Sequence, residues 1–112
     1  MKKVYFDNAA TTQTDKDVAA TVLEYMTNTF GNPGSVHAFG REARKAVDIA
    51  REQVAKLIGA QPNEIFFTSG GTESDNISIK GVAYANRNRG KHIITSAIEH
   101  HAVLEPCEAL QK

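Results

Sequence analysis

Tryptophan is absent from this 112-residue sequence, and cysteine occurs once, at Cys107. A single thiol excludes an internal disulfide and fits a reducing compartment, so the chain reads as cytoplasmic. Proline is scarce, and no apolar run approaches the roughly 20 residues a membrane helix needs. The start Met1-Lys2-Lys3 has the charge of a signal n-region, but Asp7 and Asn8 arrive before an apolar h-region forms. An excess of one charge is missing too, because 13 Lys plus Arg balance 13 Asp plus Glu. Bulk charge therefore argues for neither nucleic acid nor an acidic membrane surface as a partner. What is present is ordinary for a globular chain, with 41% hydrophobic and 23% charged residues. The length suits one compact domain.

Apolar spacing then divides the chain. Val4-Tyr5-Phe6 is strand-like, and Asp7 to Thr12 is a small polar loop. Thr14 is a good N-cap with Asp17 in the capping-box position. The helix it opens carries Val18, Val22, Tyr25 and Met26 on one face and ends near Phe30-Gly31. Asn32-Pro33-Gly34 is a turn. Ala43, Val47, Ala50, Val54 and Leu57 recur at spacings of four, three, four and three, which predicts an amphipathic helix over 38–58 with Gly59 as its stop. Gln61-Pro62-Asn63 turns the chain again. Ile65 to Thr68 and His92 to Thr95 are short, solidly apolar runs of strand length. Between them lies a helix expected over 76–88 and stopped by Gly90, and another helix follows from His100. Its pattern, read from Val103 to Lys112, has no Gly or Pro stop, which suggests the front part of something longer. Strand, helix, strand, helix is the order of an α/β fold with parallel strands and crossover helices.

Phe66-Phe67-Thr68-Ser69-Gly70-Gly71-Thr72-Glu73-Ser74-Asp75-Asn76 carries the most chemistry. Its glycines allow backbone N–H groups to approach an anion, and the helix that follows aims unpaired donors and its positive end at the same place. Two readings stand together here: a phosphate cradle, or a plain helix start in which Thr72 and Asp75 form a capping box. The sequence is neither a Walker A loop nor a dinucleotide Gly-x-Gly-x-x-Gly turn. Glu99-His100-His101 lies at the end of the next strand-like run, where an imidazole stacks on a ligand ring or moves protons, or else merely starts a helix. A metal reading through Glu99, His100, His101 and Glu105 is weak, because adjacent histidines rarely face one centre. Cys107 reads as buried packing or incidental surface rather than as a nucleophile.

Four motifs in register make the chain resemble the cysteine desulfurases, class-V aminotransferase relatives that use pyridoxal 5'-phosphate (PLP). They are Tyr5-Phe6-Asp7-Asn8-Ala9-Ala10-Thr11-Thr12, Gly31-Asn32-Pro33-Gly34-Ser35, Phe67 to Asn76, and Glu99-His100-His101-Ala102-Val103-Leu104-Glu105. The Ala-Val-Leu-Glu-Pro-Cys continuation is similar to the nitrogen-fixation and iron–sulfur housekeeping branch rather than the selenocysteine-lyase-like one. The resemblance implies the aspartate-aminotransferase-like, fold type I architecture. Residues 1–13 would line the active site, and 14–112 would begin the PLP-binding large domain. It implies that Gly71 and Thr72 bind the PLP phosphate and that His100 stacks on the ring and acts as the catalytic histidine. Asn8, Ala10, Thr11 and Asn32 would border the substrate pocket. It further implies L-cysteine as substrate, a homodimer, and an iron–sulfur scaffold or another sulfur acceptor, including tRNA thiolation, as destination. The family's Schiff-base lysine and persulfide cysteine find no matching position, since Lys80, Lys91 and Cys107 stand in the wrong context. An inactive N-terminal fragment is therefore the expectation, with a non-catalytic module, or another class-V aminotransferase or selenocysteine lyase, as alternatives.

Overall fold

A computed structural model describes residues 2–111. They form two compact units that divide between Ile65 and Phe66. Lys112, the last residue of the expected final helix, lies outside the described residues, as does Met1.

The first unit holds α1 (Lys16–Thr27) and α2 (Ala38–Ile58). α1 starts one residue later than the sequence suggests. Asp15, not Thr14, is the N-cap, and its carboxylate accepts the Asp17 N–H at 2.8 Å. The expected capping box does not form there, because the Asp15 oxygen takes that donor directly. The face of Val18, Val22, Tyr25 and Met26 is helical as expected, but no residue of α1 is buried.

α2 matches its expected bounds. His37 Nδ1 faces the Gly40 N–H at its start, and Gly59 ends it in the left-handed region at φ 71°, a conformation that costs a side-chain-bearing residue strain. The N–H of Ala60 reaches back to the Ala55 carbonyl at 2.9 Å and closes the last turn. A short 3₁₀ turn, Pro62–Glu64, packs against α2. This contact shifts the apolar stripe. Ala43 is buried as expected, but at the far end Ala55 is buried while Leu57 is 84% exposed. The chain doubling back through Pro62 to Ile65 covers one side of the helix only, and the Arg51 guanidinium donates to the Ile65 carbonyl there.

The second unit packs α3 (Gly71–Ala85) against α4 (His101–Ala109). α3 begins five residues before the expected position, because the Gly-Thr turn is already its first turn. α4 ends at Ala109 with Leu110 as cap, so the expectation that helix runs on from Val103 past Gln111 is corrected. Ala102 and Pro106 are its buried residues.

The strands are the main correction to the expected α/β pattern. Val4–Phe6, Ile65–Thr68 and His92–Thr95 form no ladder among the described residues. Ile65 has the dihedrals of a strand (φ −98°, ψ 125°), but a strand is completed only by a neighbour about 4.8 Å away that takes its N–H and C=O groups. No such neighbour is present among the described residues, and Phe66 and Ile94 remain 77% and 88% exposed. Among the described residues no helix is long and apolar enough to cross a membrane.

Candidate functional site at the start of α3

Residues 68–74 are built as a turn clasped to the helix it opens. Gly70 occupies the N-cap position and, having no side chain, contributes no capping bond. The preceding Ser69 donates both its backbone N–H and its hydroxyl to Glu73 Oε2, each at 2.7 Å. Thr68 Oγ1 lies 2.6 Å from Ser74 Oγ and 3.2 Å from the Gly70 carbonyl. The helix proper begins with the Ser74 N–H bonding to the Gly70 carbonyl at 3.1 Å.

This arrangement removes the cap reading of Thr72. Thr72 lies inside the first turn of α3, so it is not the N-cap, and the Thr72–Asp75 capping box does not form. Its hydroxyl and its N–H meet no hydrogen-bond partner among the described residues, nor does the Gly71 N–H. A methyl group added at Gly70 or Gly71 would meet no protein atom within 4 Å, so the room beside both is open. Two backbone N–H groups and a hydroxyl without partners among the described residues thus sit at the positive end of a 15-residue helix, with open space beside Gly70 and Gly71. The donor set fits a phosphate group.

The acidity of Glu73 departs from the ordinary. The Ser69 N–H, and then the Ser69 hydroxyl, hold its carboxyl below the usual carboxylate value. The native form therefore binds its proton less readily than the unfolded chain does. The clasp contributes stability above the ordinary carboxylate range and loses it as pH falls through the depressed value. Glu73 also lies in the first turn of α3, where a negative charge suits the helix end.

His100 is the N-cap of α4, and its Nδ1 accepts the Ala102 N–H at 3.0 Å. That bond leaves the proton of the neutral ring on Nε2, directed away from the cap. His101 stands edge-on to His100 with ring centroids 6.4 Å apart. Gly71, Thr72 and His100 thus sit at the starts of two helices that pack on each other, and no hydrogen bond joins His100 to the turn. Lys80 lies about 12 Å along α3 from Thr72, with its Nζ bonded to Asn76 Oδ1 at 2.7 Å. Cys107 is half-buried on α4. Among the described residues no three His, Cys, Asp or Glu side chains gather to hold a metal.

The remaining expected residues lie in the first unit. Asn8, Ala10 and Thr11 are exposed on a turn in which the Ala10 and Thr11 N–H groups bond the Asp7 carbonyl at 3.1 and 3.3 Å. Asn32 Oδ1 accepts the Gly34 N–H at 2.8 Å, and the Asn32 carbonyl accepts the Ser35 N–H at 2.9 Å. Sequence reading passed over Gly40. It is buried in the first turn of α2, and a Cβ there would come within 2.8 Å of the Asn32 carbonyl and 2.7 Å of Ser35 Cβ. Gly31 faces the same contact, with Phe39 and Gly40 backbone against it. A glycine inside an otherwise regular amphipathic helix was the available signal for this close approach. Glu73 has no local signal, because both it and its partner Ser69 lie before the helix expected over 76–88.

The aminotransferase class-V family model matches residues 4–112. The chain is 56% identical over 110 residues to cysteine desulfurase IscS of Methanosarcina thermophila, covering 98% of this chain and 27% of that protein. It is 58% identical over 111 residues to cysteine desulfurase IscS of Dictyoglomus turgidum, covering 99% and 28%. The putative cysteine desulfurase IscS 1 of Bacillus subtilis is 53% identical over 111 residues, covering 99% and 29%. A solved NifS-like protein superposes with a TM-score of 0.87 at 46% identity, covering 98% of this chain and 30% of that one. The chain therefore spans between a quarter and a third of the length of these relatives. Because the family match runs from residue 4 to residue 112 and the likeness to IscS and NifS-like proteins covers nearly every residue, the chain belongs to the class-V aminotransferase family.

Proposed function

We propose that this chain carries the phosphate-binding end of a PLP-dependent cysteine desulfurase. The observation that supports this most directly is the first turn of α3. Gly70 leaves the helix uncapped, and the Gly71 N–H, the Thr72 N–H and the Thr72 hydroxyl are all unspent. The IscS relatives supply the reaction class. PLP, when bound, supplies an electron sink for bonds around the substrate carbon. The chain's own residues bind and orient. Gly71 and Thr72 hold the phosphate. His100, fixed at Nδ1 by its own helix, presents its ring face and the Nε2 proton to the ring and substrate.

Asn8, Ala10, Thr11 and Asn32 border the substrate in this reading, with residues 1–13 lining the site and 14–112 opening the PLP-binding domain of fold type I architecture. The unpaired strands then find their partners in a parallel sheet. The substrate is L-cysteine, the products are alanine and a protein-bound persulfide, and the sulfur passes to an iron–sulfur scaffold or a thiolation acceptor. The working form is a cytoplasmic homodimer.

Titration with PLP tests the cradle. Thr72→Ala is expected to weaken binding about tenfold, or roughly 1.4 kcal/mol, and an unchanged dissociation constant would remove Thr72 from the site. Alanine released from L-cysteine by the PLP-loaded whole protein tests the reaction. A PLP-loaded protein that yields none is no desulfurase, though its family membership stands.

A further inference from the structure

The bonding of Ser69 raises a separate question. Serine is among the preferred helix N-caps, and its hydroxyl ordinarily accepts from the first-turn N–H groups. Ser69 lies beside the open end of α3 and would compete for the donors that a phosphate needs. Its N–H and hydroxyl are instead both directed onto Glu73 Oε2, at 2.7 Å each. The cap position falls to Gly70, which has nothing to offer the helix. A second clasp, Thr68 Oγ1 to Ser74 Oγ at 2.6 Å, ties the other end of the turn to the same helix. Without these ties the Gly70-Gly71 pair has wide backbone freedom, and a ligand would have to order it on binding.

We propose that Glu73 is a positioning residue for phosphate binding: by holding the Ser69 amide and hydroxyl, it keeps the Gly71 and Thr72 donors open and the turn preordered. This rests on the reading of the α3 start as the PLP phosphate cradle. The carboxylate adds a negative charge near an anion, which works against binding. Glu73 is exposed, so solvent screens that repulsion, whereas the ordering of the turn is not screened. The two effects have opposite signs and separate cleanly by substitution. Glu73→Gln keeps an acceptor oxygen for Ser69 and removes the charge. Glu73→Ala removes both.

The test compares PLP with pyridoxal, which lacks the phosphate, by absorbance titration of the whole protein. Glu73→Ala is expected to raise the PLP dissociation constant about tenfold and to leave that for pyridoxal within about twofold. Glu73→Gln is expected to stay within about threefold of the parent for both. Equal losses for PLP and pyridoxal in Glu73→Ala would mean general damage to the fold and overturn the proposal. Tighter PLP binding in both variants would make Glu73 a repelling or competing anion, and would overturn it too, as would no change in either. A parent protein that binds PLP no better than pyridoxal would sink the cradle itself and the Glu73 role with it.

Discussion

A methyl group at position 40 would run into the backbone of Asn32 and Ser35, whereas one at position 81 would meet nothing. The same Gly→Ala change therefore has opposite signs at two helix positions. Gly40→Ala is expected to cost about 1–3 kcal/mol, as overpacking against backbone does. Gly81→Ala is expected to add about 0.5–1 kcal/mol, because it only removes backbone freedom from the unfolded chain. Denaturant unfolding of the two variants checks the pair, and a loss at both positions would mean that Gly81 packs against something. At this scale sequence is informative about residue type and poor about partners. Thr72 was legible either as a phosphate donor or as a helix cap, and the cap reading ended only when Gly70 proved to occupy that position. Glu73 and Gly40 owe their roles to neighbours that no local pattern names.

Helices were the most legible elements, and their ends show why. α2 ran from Ala38 to Ile58 as its stripe and Gly59 required. Gly59 has its φ at 71° and open space around its Cβ position, so its replacement probes conformation alone. Gly59→Ala is expected to lose about 1–2 kcal/mol, the left-handed penalty for a side chain, with Gly59→Asn losing less. Asp15→Ala is expected to lose about 1 kcal/mol through the N-cap of α1, whereas Thr14→Ala is expected to be neutral. Thermal unfolding of these four variants tests both helix ends, and a larger loss from Thr14→Ala than from Asp15→Ala would return the cap to Thr14. Strands were legible only as candidates. Apolar runs at Ile65–Thr68 and His92–Thr95 have the right length and, at Ile65, the right dihedrals, yet a ladder is a property of two segments.

The chain exposes 9955 Å² of surface. A compact monomer of this mass would expose about 6,100 Å², and two separate compact bodies divided at Ile65 would still expose only about 7,300 Å² together. Large apolar side chains contribute to it: Val18, Val22 and Met26 of α1, Leu57 of α2, and Phe66 and Ile94 of the extended segments are all exposed. Surface of this kind calls for cover. The 112-residue chain in isolation is expected to bind a hydrophobic reporter dye and to sediment above 12.2 kDa as concentration rises. A dye-silent species of 12.2 kDa at every concentration would show that these faces close on one another instead.

Sequence by itself determined the helices, the Gly-Thr turn at a helix start and the family, because periodicity, turn chemistry and motif order are local along the chain. Tertiary structure decided what those pieces do to each other. It took the cap from Thr72, turned Ser69 onto Glu73, set Gly31 and Gly40 backbone against backbone, and left the apolar runs without ladders. Each of these depends on a partner brought near by folding, and hydrogen bonds and steric contacts act only over a few ångströms of space, whatever the distance along the chain.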